Sequence, residues 1–200
     1  HVLRDSGYGC NAFLGGIAVN YQSNFWGHKN NVCVVEADEY DRSFLTLHPD
    51  VAVLSAMDPD HLDIYGTEEA MESSFLEFTA KIKSTGLLLY KLGLKRTGDL
   101  KGPKKLSYSL DNPQADCYAL NISLQGGTYC FDVQVGDTRI PDFQLLMGGR
   151  HNVENSVAAI AVASSLGISA DLIRKAVAEF RGVKRRFEYV ICLLYTSDAA

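Results

Sequence analysis

Three short apolar runs mark the first half of the chain: Val32-Cys-Val-Val35, Val51-Ala-Val-Leu54 and Leu87-Leu-Leu-Tyr90. Continuous apolar runs of this length predict strands buried on both faces, as in a parallel sheet. Between the second and third, Met71, Phe75, Phe78 and Ile82 recur at helical spacing, with Glu68 and Glu69 where the helix dipole favours acids. Strand, helix, strand predicts a βαβ unit with a right-handed crossover. Further along, the period changes to two. Tyr118, Leu120, Ile122 and Leu124 alternate with polar neighbours, Gly126-Gly127 turns the chain, and Tyr129, Phe131, Val133 and Val135 alternate in return. Gly136-Asp137 suggests a second turn into Ile140–Leu145, so a small antiparallel sheet of about three strands is expected beside the parallel one. Two helices follow. One has the stripe Val153, Val157, Ile160 and Ala161 and ends at Gly167; the other starts at Ser169 and has the stripe Ile173, Ala176, Val177 and Phe180. The pattern predicts an α/β fold with a small antiparallel extension.

Composition narrows the class. The chain has 200 residues, of which 46% are apolar and 22% charged, with a formal charge of -5. That is a globular composition, large enough for a core without disulfides, and its acidic balance disfavours a nucleic-acid binder. No apolar run approaches the roughly 20 residues that span a bilayer. Cys10, Cys33, Cys117, Cys130 and Cys192 are scattered with no C-x-x-C pair, which reads as buried, reduced thiols in a cytosolic protein. His1–Ser6 reads as the tail of a helix that begins upstream. The segment 191–200 has no clear period and resembles translated adapter read-through, so the domain is taken as residues 1–190.

Four features can carry chemistry. Glu36-Ala-Asp-Glu-Tyr-Asp41 directly follows the first strand and packs four acids into six residues. They would repel one another unless neutralised, and the segment reads either as a solvated acidic loop or as carboxylates for Mg²⁺. Asp58-Pro-Asp-His61-Leu-Asp63 follows the second strand; His61 is either a surface histidine or a ligand oriented by its acidic neighbours. Ligands of open α/β sheets sit at the carboxyl ends of strands, so two acidic clusters, expected at two neighbouring strand tips, favour a shared site. Gly148-Gly149-Arg-His151-Asn152 opens a helix, and its side chains with Asn155 offer edges suited to a base, or simply cap the helix. Arg181-Gly-Val-Lys184-Arg185-Arg186-Phe187 is a basic helix end or a phosphate clamp. Together these are parts of a nucleotide phosphoryl-transfer site, although no G-x-x-x-x-G-K-[ST] occurs.

In this order, Glu36–Asp41, Asp60-His61-Leu-Asp63, Gly149-Arg-His151-Asn152-Val-Glu-Asn155 and Arg185-Arg186-Phe187 resemble the Mur ligases, ATP-dependent amide ligases of bacterial peptidoglycan assembly. The resemblance spans roughly residues 1–190 and covers only the central, ATP-binding domain of a three-domain enzyme. It implies a P-loop-type mononucleotide-binding fold, a cytoplasmic bacterial enzyme, and ATP and Mg²⁺ as cofactors. Glu36 would ligate one Mg²⁺ and His61 a second. His151, Asn152 and Asn155 would face the adenine, and Arg186 would reach the γ-phosphate. Ser6–Ile17 and the run from Asp50 to Tyr65 further imply UDP-N-acetylmuramate and L-alanine as substrates, joined through an acyl-phosphate. The lysine that completes the second metal site in some relatives is not carried over, since Lys81 and Lys83 lie well down the next helix. The alternatives are a ligase recycling a ready-made tripeptide onto UDP-N-acetylmuramate, a metal-dependent hydrolase built on Glu36, Asp38 and His61, and a silent nucleotide-binding module. The fragment alone is expected to be inactive, with an open inner sheet edge.

Overall fold

The structure, a computed structural model, describes residues 1–59 and 61–185. Its elements in chain order are α1 (Val2–Asp5), β1 (Asn11–Ala18), β2 (Ser23–Trp26), β3 (Cys33–Val35), β4 (Val51–Leu54), α2 (Leu62–Tyr65), α3 (Glu68–Ala80), β5 (Leu87–Lys91), β6 (Lys104–Ser109), β7 (Cys117–Gln125), β8 (Thr128–Val135), β9 (Thr138–Leu145), α4 (Arg150–Ser165) and α5 (Ala170–Glu179). The α/β class stands. One six-stranded sheet runs β4-β5-β6-β7-β8-β9, parallel from β4 to β7 and antiparallel from β7 to β9. The antiparallel extension is therefore continuous with the parallel part through β7. A separate three-stranded sheet has the order β2-β1-β3.

β5 is buried on both faces, as its sequence suggests. Leu88 and Leu89 are both 0% exposed and point to opposite sides of the sheet. Leu88 joins Ala52, Leu54, Phe78 and Ile82 beneath α3; Leu89 joins Tyr108, Phe131, Val133 and Phe143 beneath α4 and α5. The other two runs differ. Val53 is exposed on the second face of β4, and all of β3 is exposed. β3 pairs with β1 and not with β4, so neither of its faces lies under a helix of the larger sheet. Cys33 is exposed for the same reason, against the expectation of burial, while Cys10 and Cys117 are buried. Burial pushes the Cys117 thiol up to about 11. Cys192 lies outside the described residues.

The helices follow their caps. Thr67 accepts a hydrogen bond from the Ala70 N–H at 3.2 Å and opens α3. At the end of α4, the Gly167 N–H bonds Ser164 O and the Ile168 N–H bonds Ala163 O, the two bonds of a Schellman cap. Ser169 sits at the N-cap of α5 without a side-chain cap bond. Among the described residues no helix is long and apolar enough to cross a membrane.

The β7–β9 hairpins carry a bulge on each side of Asp132. Leu120 pairs with Asp132 and Ser123 with Cys130, so β7 has one extra residue; Phe131 pairs with Phe143 and Val133 with Ile140, so β9 has another. Asn121 and Asp142, inside these bulges, have φ of 53° and 65°. Asp132 ties both down. Its carboxylate accepts from Asn121 Nδ2 at 2.8 Å, from the Asp142 N–H at 3.0 Å and from the Arg139 guanidinium. The first bulge also shifts the phase of the alternation. Cys117 and Ala119 are the buried residues of β7, and Leu124 is exposed.

Burial alone would raise the Asp132 carboxyl, but the Asp142 N–H, Arg139 and Asn121 outweigh it and hold it below its ordinary value. A lowered native pKa stabilises the fold above the unfolded value of about 3.9, and that contribution disappears as pH falls through the native value. The unfolding temperature of Asp132→Asn therefore approaches that of the parent on acidification below about pH 4, having been lower at neutral pH. Paired thermal melts across that range check this.

Candidate active site

The acidic segment begins at the tip of β3. The Glu36 N–H bonds Phe13 O at 2.9 Å, and its carboxylate turns back to accept the Gly15 N–H at 2.8 Å. A Cβ on Gly15 would stand 3.0 Å from Glu36 Oε1, so glycine leaves the space in which this carboxylate lies. The other acids are handled locally. Asp38 accepts the Tyr40 N–H and Asp41 the Ser43 N–H, both at 2.9 Å. These are Asx-turns, in which a carboxylate bonds the backbone two residues on. Ser43 also holds the Asp41 carboxyl below its ordinary value through its hydroxyl and N–H. The loop thus relieves much of its charge density through its own backbone.

His61 is the N-cap of α2 and has φ 54°, a left-handed conformation unusual for a non-glycine residue. Its strand and that of Glu36 belong to different sheets, which corrects the expectation of neighbouring strand tips. The two loops nevertheless meet. The Tyr40 and His61 rings pack edge to face, 5.1 Å apart at 90°. Tyr65, on the last turn of α2, donates its hydroxyl to Glu39 O at 2.5 Å, and the Arg42 guanidinium lies 4.8 Å over its ring. Asp60 lies outside the described residues.

The α4 entry opens on a cavity of about 720 Å³. His151, Asn152 and Asn155 line it from α4, Ala12 and Leu14 from β1, and Val34 from β3. The volume falls within the usual range for small-molecule sites, about 300–1,000 Å³. Gly149 has φ 89°, and a Cβ there would meet His151 Cε1 at 2.4 Å. Its role is therefore to let the imidazole fold back over the helix entry. Asn152 donates Nδ2 to Gly148 O at 2.7 Å. A carbonyl partner fixes the amide orientation, because only the NH₂ end can donate to it. Lys91 and Glu154 pair at 2.8 Å and tie the end of β5 to α4.

The basic segment reaches the cavity by a strap across β1. Val19 N bonds Gly182 O, Lys184 N bonds Ile17 O, and Ala18 bridges Val183. A Cβ on Gly16 would meet Val183 Cγ1 at 2.4 Å, so the strap needs glycine at this point of the strand. Arg185 emerges as a cavity-lining residue. Arg186 lies outside the described residues.

Sequence reasoning missed Tyr40, Tyr65, Arg42 and Gly15. Two signals were available: Tyr65 stands one helical turn after His61, and paired glycines inside a strand mark a close approach.

Residues 16–163 match the model of the Mur ligase middle domain. The chain belongs to that family. It is 43% identical to the UDP-N-acetylmuramate–L-alanine ligase of Flavobacterium johnsoniae over the whole of this chain, covering 43% of that protein. It thus spans about two fifths of the length of the curated relatives it matches. Among solved structures it is similar to the UDP-N-acetylmuramate–alanine ligase of Thermotoga maritima, with TM-score 0.82, 25% identity, and coverage of 96% of this chain and 43% of that one. It also shares its fold with the MurF ligase of the same organism, solved in complex with ADP, with TM-score 0.66, 16% identity, and coverage of 91% and 45%. In this Mur ligase middle domain the matched segment runs from the Gly16 contact with the strap, through both acidic loops, to most of α4.

Whether the donor set suits magnesium can be read from its chemistry. Among the described residues no three His, Cys, Asp or Glu side chains converge to hold a metal. A zinc-hydrolase centre needs three such ligands. Mg²⁺ is commonly held by one or two carboxylates, with substrate phosphates and water completing the shell. A single exposed carboxylate such as Glu36 fits the second pattern, and His61 stands on the loop that meets the acidic segment through Tyr40.

Proposed function

We propose that this chain is the nucleotide-binding unit of a cytoplasmic, ATP-dependent ligase that joins L-alanine to UDP-N-acetylmuramate. The observation that carries the reading is the continuity of cavity and acidic tip along β3. Val34 lines the cavity, and Glu36 follows two residues later, about 7 Å on at the rise of a strand. A nucleotide with its base at α4 can direct its phosphates toward Glu36. The names of the relatives supply the substrates, and the ligand of the MurF structure supports a nucleotide site in this fold.

At the base end, one N–H of the Asn152 amide is held by Gly148 O, which fixes the amide, and its carbonyl oxygen is an acceptor for a base. That acceptor suits the exocyclic amine of adenine and opposes the O6 of guanine. His151 and Asn155 add polar edges beside it in a largely apolar wall. At the phosphate end, Glu36 and His61 would hold magnesium. Bound there, the ion neutralises charge on the phosphate oxygens. The ligation transfers the γ-phosphoryl group to a muramate carboxylate oxygen. The amine of alanine then attacks the acyl carbon, and phosphate leaves. Arg186 is assigned to the γ-phosphate on family resemblance.

Asn152→Asp tests the base site. It sets a carboxylate oxygen against Gly148 O and turns the cavity edge anionic. In the full-length ligase the KM for ATP should rise at least about tenfold, with the KM for L-alanine unchanged. An unaltered ATP KM contradicts the placement of adenine at α4.

A further inference from the structure

Tyr65 is buried, 5% exposed, yet its hydroxyl belongs to no element of the core. It reaches across to the carbonyl of Glu39, in the middle of the acidic loop. Its ring carries the Arg42 guanidinium, and Arg42 has φ 62° and donates its N–H to Glu39 O at 3.1 Å. Glu39 O therefore takes two bonds, one from within its loop and one from α2. At the other end, the Tyr65 N–H bonds His61 O at 3.1 Å, the single full helical bond from that residue. One residue thus holds the carbonyl of His61 through its backbone N–H, and the carbonyl of Glu39 and the charge of Arg42 through its side chain. The strands leading to Glu36 and to His61 lie in different sheets, so no ladder of backbone hydrogen bonds fixes one loop against the other. Here the junction is made by side chains, the Tyr65 pin and the Tyr40–His61 ring pair.

We propose that Tyr65 is a positioning residue that sets the acidic loop of Glu36 against His61. The inference rests on the reading of Glu36 and His61 as magnesium ligands. The loop bends back on itself through Asx-turns; at its far end Phe44 is packed on Phe75 and Phe78, but the stretch from Glu36 to Asp41 is exposed or half-buried and none of its residues belongs to the core. Without an external anchor it would sample many placements, and ordering it would be charged against metal binding. The phenol removes that cost in advance.

The test uses the full-length ligase carrying this chain. Tyr65→Phe keeps the ring and its contact with Arg42 and deletes only the hydroxyl. Arg42→Asn is the second variant; it leaves the buried ring in place, and asparagine tolerates the left-handed φ. In metal-free protein, the amides of residues 38–46 should exchange about tenfold faster in Tyr65→Phe, while those of β5 keep their rates. Mn²⁺, titrated by electron paramagnetic resonance with a non-hydrolysable ATP analogue present, should bind about tenfold more weakly. Arg42→Asn should shift both readouts in the same direction. Parental exchange and parental Mn²⁺ affinity in Tyr65→Phe overturn the positioning role. Glu36→Gln runs in the same titration. If it weakens Mn²⁺ while Tyr65→Phe does not, the positioning role alone fails. If Glu36→Gln binds Mn²⁺ as the parent does, the metal reading fails and this inference with it.

Discussion

Glu36→Gln in the full-length ligase is expected to lower kcat for alanine ligation by about 10³-fold, near 4 kcal/mol of transition-state stabilisation. The substitution is nearly isosteric. The Gln side-chain oxygen can still accept the Gly15 N–H, so the β1–β3 junction and the fold should hold. What disappears is the formal charge that the proposed site sets toward the phosphates. In phosphoryl transfer the protein contributes mainly position and charge, so loss of that charge falls on kcat more than on the binding of ATP. Measuring kcat and the ATP KM at saturating alanine and magnesium separates the two. Parental turnover by this variant would remove Glu36 from the reaction. The hydrolase alternative makes the opposite demand, activity without ATP. It is disfavoured by the lack, among the described residues, of a three-ligand cluster.

Phe143→Ala is expected to cost about 3–5 kcal/mol of stability. Phe143 is fully buried, and its ring stacks on Phe131 at 5.7 Å between centroids. It sits directly after the Asp142 bulge, under α4 and α5, in the core that also holds Leu89 and Val153. Little can collapse into the space. Bulge, strand and two helices are each fixed by other bonds, so most of the removed volume remains as cavity. Chemical denaturation of parent and variant measures the loss, and a change under 1 kcal/mol would mean that this core repacks freely.

The sequence made some elements plain for physical reasons. β4, β5 and α3 are uninterrupted in their periods, and the helical stripes of α4 and α5 fall on the residues that are buried. β1 was hidden because Gly15 and Gly16 break its pattern to make room for Glu36 and Val183. β6 was hidden because Ser107 is buried in it; its N–H and hydroxyl both bond Asp116 Oδ2 at 2.7 Å, a satisfaction that no local pattern announces. One inserted residue at Asn121 inverted the reading of β7. At the candidate site, the charged residues were legible by type and strand position. The aromatic joint between the loops was not, because Tyr40 and Tyr65 act through tertiary contacts. The assignment of β3 beside β4 failed because short apolar runs carry no information about which strand they pair with.

β5 has a consequence beyond packing. With Leu88 committed to one layer and Leu89 to the other, melting of either layer uncovers one face of a strand that the other layer also packs on. The α3 side, which carries the loop of His61, is therefore coupled through β5 to the α4 side, which carries the proposed base-binding edge. On the proposed function, a ligand held at either end is expected to resist unravelling of the shared strand, and damage at either end to be felt by both.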